Sequence, residues 1–153
     1  MEPGCLNLEI TETIAMHDAD RSALVLNQLK ALGVRLDIDD FGTGYSSLSR
    51  LQHFPVDAIK IDRSFVSRML TDVETGAIVR IIVMLAHGLR LKVVAEGVET
   101  QEQEDLLRDI GCELAQGYLY SRPAPAETIE QLLRNAANGP ANRRVKAASS
   151  SVI

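Results

Sequence analysis

Four short runs of this chain alternate aliphatic with polar or charged residues, and that alternation limits the kind of sheet they can build. In LNLEIT (6–11), Leu6, Leu8 and Ile10 share one face of an extended strand, and Asn7, Glu9 and Thr11 share the other. VRLDID (34–39) sets Val34, Leu36 and Ile38 against Arg35, Asp37 and Asp39. AIKID (58–62) opposes Ile59 and Ile61 to Lys60 and Asp62, and LKVVAE (91–96) opposes Val93 and Ala95 to Lys92, Val94 and Glu96. A parallel sheet covered by helices on both faces reads as nearly continuous aliphatic strands. Helices laid over these charges would bury them unpaired, at several kcal/mol each. A barrel removes the conflict: the aliphatic face meets the helices, and the charged face points inward toward a wet mouth.

The segments between these runs read as helices. Leu24, Leu26, Leu29 and Leu32 give an apolar stripe over about 18–32, with Gly33 as a stop. Further helices are expected near 46–53, 63–70, 73–89, 100–110 and 125–137. The penultimate of these opens on the capping box Thr100-x-x-Gln103. LAQGYLY (114–120) adds a fifth strand. Five strands, each followed by helix, imply βα units, an α/β fold and a parallel sheet.

A length of 153 residues suits one ordinary domain. Without Trp the core must be mainly aliphatic. A net charge of −5 argues against a nucleic-acid polymer or a basic membrane patch as partner, but not against a phosphorylated small molecule whose charge a metal ion offsets. Cys5 and Cys112 lack metal or redox spacing and read as small buried hydrophobes in a reducing compartment. The N-terminus lacks a signal-peptide pattern, and the most apolar segment (77–89) is too short to span a bilayer and carries Arg80. A cytoplasmic protein without a membrane segment is expected. The ordered unit is expected over 1–137; in 138–153, Gly, Pro, Ala and Ser with Arg143, Arg144 and Lys146 read as a disordered tail.

Glu9, Asp39, Lys60 and Glu96 fall at or near the C-terminal ends of their strands, where barrels of this type carry active sites, with Asp40 one step further on. Carboxylates gathered there repel one another unless a cation compensates. All-oxygen ligands favour Mg2+ or Mn2+ over Zn2+, and a pair of such ions is a common device for phosphoester cleavage. Lys60 could orient an attacking water or steady a phosphate. The plainer alternative is that each acid caps the helix that follows it. Gly42 and Gly44 read as a turn, and His17, His53 and His87 as structural or surface residues.

LEITET, LDIDDFGTGYSSL, DAIKIDRSFV, VVAEGVET and LAQGYLYSRP stand in this order. Together they resemble the C-terminal part of EAL domains, the bacterial cyclic di-GMP phosphodiesterases, over about 5–133. The resemblance implies a TIM-like (β/α) barrel, of which about five of eight strands are present here. It implies hydrolysis of cyclic di-GMP to linear pGpG, dependence on Mg2+ or Mn2+, and inhibition by Ca2+. By position, Glu9, Asp39, Asp40 and Glu96 resemble the metal ligands, and Lys60, Glu96 and Gln116 the catalytic and water-positioning groups. Glu12 resembles the anchor of the loop 41–47, which holds Gly42 and Gly44, and Glu99 a supporting carboxylate.

The Glu-Ala-Leu motif that names the family does not occur in this sequence. The corresponding expectations are an incomplete barrel of low stability, a tendency to dimerise, and weak or absent activity by itself. A parent chain with sensor or GGDEF domains is the expected context. A non-catalytic module that binds cyclic di-GMP or a protein partner is the alternative, and an inactive structural fragment a third reading.

Overall fold

The computed structural model describes residues 2–44 and 48–138. A 3-10 turn, Pro3–Cys5, leads into β1 (Asn7–Thr11), α1 (Glu12–His17) and α2 (Ala19–Ala31). β2 (Arg35–Phe41), α3 (Leu48–Leu51), β3 (Ala58–Ile61), α4 (Arg63–Arg68) and α5 (Val73–Gly88) follow. β4 (Lys92–Glu96), α6 (Gln101–Asp109), β5 (Leu114–Gln116) and α7 (Ala126–Asn138) complete the order. The strands form one parallel sheet in the sequence order β1-β2-β3-β4-β5. This is the α/β, five-stranded part of a TIM-like barrel. No described helix is long and apolar enough to cross a membrane.

The aliphatic positions fall on one face, as the alternation requires. Leu36, Ile38, Ile59, Ile61, Val93 and Ala95 are all 1% exposed or less. Register carries this layer across the sheet, pairing Ile38 with Ile59, Ile59 with Val93, and Ile61 with Ala95. Val79, Ile82, Val83 and Ala86 of α5 join the same buried cluster. Helix starts are fixed by side-chain caps. Asp18 accepts from the Arg21 N–H, Asp62 from Ser64 and Asp72 from Glu74, and Thr100 and Gln103 form the reciprocal capping box.

Several sequence expectations need correction. Cys5 is exposed at the end of the turn before β1, whereas Cys112 is half-buried. Residues 12–17 form a helix of their own, α1, which has too few turns to show a periodic stripe. The helix expected over 46–53 is the four-residue α3, and its first expected residues lie outside the described ones. β5 stops at Gln116, because Gly117 packs onto the loop after β4: a Cβ there would lie 2.1 Å from the Val98 carbonyl oxygen. α7 runs to Asn138, and the rest of the expected tail, 139–153, lies outside the described residues.

β2 is longer than expected and contains a bulge. Ile38 pairs with Ile59 and Phe41 with Ile61, so three steps along β2 match two along β3. Asp40 absorbs the extra residue in a left-handed conformation, φ 54°, which aspartate tolerates better than most side chains. Without the bulge, Phe41 would share the polar face with Asp37 and Asp39. With it, Phe41 returns to the core at 3% exposure. Two adjacent acids can therefore sit at the end of a strand that still finishes on a buried aromatic.

Candidate functional site

The inner face of the sheet centres on one lysine. The Lys60 ammonium lies 2.7 Å from a Glu9 oxygen, 2.7 Å from Glu96 and 3.0 Å from Asp39. The three carboxylates come from β1, β4 and β2, so the contact gathers four strands around one point. The Lys60 side chain is 7% exposed, while those of its partners are 20–27% exposed. The cation is thus sealed beneath a ring of acids that remain open on the mouth side.

One ammonium does not neutralise three carboxylates. Burial disfavours the charged lysine, but its bonds to Glu9, Glu96 and Asp39 together outweigh that and hold the ammonium well above its usual pKa. Glu96 shows the other side of the imbalance. Burial pushes its carboxyl up, Lys60 pulls it back, and repulsion from Asp39 and Glu9 leaves it raised. Asp40 is raised by partial burial and then by Asp39 and Asp62. Deeper in the inner face, burial raises Asp37, against the bond donated by the Asn7 amide.

The loop after β2 is held by Glu12. This side chain is 1% exposed at the start of α1, and its carboxylate accepts the Gly42 N–H at 2.7 Å. Gly42 has φ 97°, and a Cβ there would sit 3.1–3.2 Å from Phe65 and Ile82. A Cβ at Gly44 would lie 3.1 Å from a Glu12 oxygen. The chain therefore passes over Glu12 with little room to spare. The motif resemblance names Glu12 as the anchor of this loop, and the bond to Gly42 agrees with that; periodicity alone gives no sign of its burial, because it lies on a short helix with no face of its own.

Other expected site residues stand apart from Lys60. Gln116 pairs with Glu96 in the sheet register, but its side chain is exposed. Glu99 is exposed too; its backbone N–H is fixed by the buried Gln103 amide, which also reaches the Val66 carbonyl oxygen. His17, His53 and His87 are exposed, with His53 on the Ser49 carbonyl oxygen and His87 on Glu113. Sequence reasoning passed over Asp62 as a site residue. It follows Lys60 by two positions, caps α4 and repels Asp40. The Lys-x-Asp alternation already put it on the charged face.

Among the described residues, no group of three or more His, Cys, Asp or Glu side chains is arranged as a metal cage. The focus is taken by the Lys60 ammonium. The donor set nevertheless suits a hard divalent cation in kind: Glu9, Asp39, Asp40 and Glu96 are all oxygen donors, and their excess negative charge exceeds what Lys60 can offset.

The EAL domain profile matches residues 1–123. The bifunctional diguanylate cyclase/cyclic di-GMP phosphodiesterase MucR of Pseudomonas aeruginosa is 51% identical over 129 residues, covering 84% of this chain and 19% of that protein. A solved PaMucR phosphodiesterase in complex with c-di-GMP superposes with a TM-score of 0.83 at 51% identity, over 84% of this chain and 52% of the other. BlrP1 of Klebsiella pneumoniae, solved with manganese and cyclic di-GMP, gives a TM-score of 0.74 at 41% identity, over 81% of this chain and 32% of the other. The chain thus spans about a fifth of the length of the MucR protein and about half of the solved MucR chain.

Proposed function

The chain belongs to the EAL domain family, and from that premise we propose that its strand ends carry part of a divalent-metal-dependent site that hydrolyses cyclic di-GMP to linear pGpG. The observation that carries this reading is the convergence of Glu9, Asp39 and Glu96 on Lys60 at 2.7–3.0 Å. The MucR and BlrP1 complexes, at 51% and 41% identity, support the nucleotide and the ion.

In this reading Glu9, Asp39, Asp40 and Glu96 hold Mg2+ or Mn2+. Such an ion, when bound, lowers the pKa of water and offsets charge on phosphoryl oxygens. The protein's own part is placement. Lys60 holds three carboxylates in register with its three N–H donors and, staying protonated at neutral pH, would exchange one of them for a water or a phosphate oxygen rather than act as a base. Glu96, with its raised carboxyl, is the better proton acceptor at the mouth. Glu12 fixes the loop that begins at Gly42, and Gln116 and Glu99 stand at the rim to orient water or substrate. A homodimer, or a parent chain with sensor or GGDEF domains in the cytoplasm, is the setting this reading anticipates.

The test is hydrolysis of cyclic di-GMP by the purified chain in Mn2+, followed by chromatography of the nucleotides. Turnover to pGpG that Asp39→Ala with Asp40→Ala abolishes is the expected result; equal turnover in the double variant overturns the assignment. The ammonium at the focus of the site favours a second reading, binding of cyclic di-GMP without turnover. Calorimetry in Ca2+ separates the two: binding by a chain that never produces pGpG supports the second.

A further inference from the structure

We propose that Gln103 is a positioning residue for the strand-end site, tying the loop after β4 to α4 so that Glu96 stays in place beside Lys60; this rests on the metal-site reading above. Glu96 needs such a restraint. It closes β4, and the ladder with β3 ends one residue earlier, where Ile61 pairs with Ala95. On its other side Glu96 pairs with Gln116, the last residue of β5. Its carboxylate is repelled by Asp39 and Glu9 across their shared ammonium. Element ends open at the lowest free-energy cost, so repulsion acts here where the sheet resists it least.

Beyond Ala95 the contacts of this segment pass from β3 to α4. Gly97, at φ 69°, lies so close to Arg63 that a Cβ would stand 2.6 Å from the Arg63 Cβ. Val98 is buried, and its N–H donates to the Gln116 carbonyl oxygen at 3.0 Å. Glu99 and Thr100 are then held by Gln103. The Gln103 side-chain oxygen accepts the Glu99 N–H at 2.7 Å and the Thr100 N–H at 3.1 Å, and its amide donates to the Val66 carbonyl oxygen at 3.3 Å. Two N–H donors on one side and a carbonyl on the other fix which end of the amide is which. Gln103 is 7% exposed.

A capping box needs only the bond from the Thr100 N–H. The bonds to Glu99 and Val66 go beyond it. The Val66 bond spans 37 positions, and α4 starts at Arg63, three residues after Lys60. Gln103 therefore joins the strand end that carries Glu96 to the helix that leaves the strand carrying Lys60. The 2.7 Å contact between those two side chains is thus backed by a tie that does not depend on their charges. Groups that hold ligands in place from outside typically change metal affinity ten- to about a hundredfold when removed.

The experiment is Mn2+ binding to the whole chain, read from the electron paramagnetic resonance of the free ion, with thermal melting of each variant beside it. Gln103→Met is expected to weaken Mn2+ binding about tenfold. Thr100→Val removes the hydroxyl that accepts the Gln103 N–H, the other half of the capping box, and spares the bonds of the Gln103 side chain. Its melting temperature is expected to fall, as that of Gln103→Met does, but its Mn2+ affinity to stay within about twofold of wild type. Equal losses of affinity in the two variants, or wild-type affinity in Gln103→Met, overturn the positioning role alone. If Gln103→Met does not fold, Gln103→Glu decides. At neutral pH it keeps both loop acceptors and cannot donate to Val66, and its added charge by itself favours a cation. An affinity loss of about threefold or more is expected there, and wild-type or tighter binding overturns the tie to α4. No Mn2+ binding by the wild-type chain, or binding unchanged in Asp39→Ala with Asp40→Ala, overturns the metal-site reading and the positioning role together.

Discussion

The two faces of the sheet are made by alternate residues of the same strands, yet they do different work. On the outer face Ile38, Ile59, Ile61, Val93 and Ala95 are at 0% exposure, locked against the helices. One residue away along each strand, Glu9, Asp39 and Glu96 remain 20–27% exposed around Lys60. The outer face stabilises the fold through apolar area removed from water. The inner face gathers charge that is only partly compensated, which is a cost to stability and the basis of any cation or phosphate chemistry. Division by face lets one five-residue strand serve both ends without compromise, provided the register holds.

Substitutions on the two faces should therefore diverge in size and sign. The largest loss is expected on the outer face: Ile59→Ala leaves a cavity against α5 and should cost about 4 kcal/mol in urea unfolding. A loss under about 1 kcal/mol would mean that this face is not closely packed. Lys60→Met comes next, at about 3 kcal/mol at neutral pH, because three carboxylates lose their shared cation. That loss should shrink as the pH falls and the acids protonate; a loss independent of pH would remove the charge explanation.

Glu96→Gln should be near neutral or slightly stabilising at pH 7. The Glu96 carboxyl is raised above 4.5 by burial, so the native state holds its proton more firmly than the unfolded chain does. Wild-type stability should accordingly fall as the pH rises from 4.5 through the native value, and the variant should lose part of that slope. Asp37, raised in the same direction, keeps the rest. A wild-type melting curve that rises over this interval while Glu96→Gln flattens it would reverse the sign assigned to the site.

The smallest effect concerns the cysteines. Burial raises the Cys112 thiol to about 11, and its Sγ lies 3.3 Å from the Leu114 carbonyl oxygen. At pH 8 it should resist iodoacetamide until the chain unfolds, while exposed Cys5 reacts at once. Two equivalents of rapid labelling would show that the sheet is open at β4 and β5.

The family motifs and the strict alternation of the strands made the α/β class, the parallel sheet and the identity of the charged face legible from residues alone. The capping box at Thr100 and Gln103 was legible for the same reason: it depends on neighbours in sequence. Contacts between distant segments were not. The bond from the Gly42 N–H to Glu12 spans thirty positions: the motif resemblance named Glu12 as the loop's anchor, but no periodicity or spacing gave its burial. The short β5 follows from the contact of Gly117 with Val98. Even the paired acids at 39 and 40 looked like a strand end, whereas pairing with β3 turned them into a bulge that carries Phe41 back to the core.

Sequence alone thus determined which residues face which way, because side-chain direction in a strand is set by the period of the backbone itself. Tertiary structure alone decided that three acids share Lys60, that Asp40 turns left-handed and that Gly117 packs against Val98. Each of those depends on distances between segments that only packing brings together.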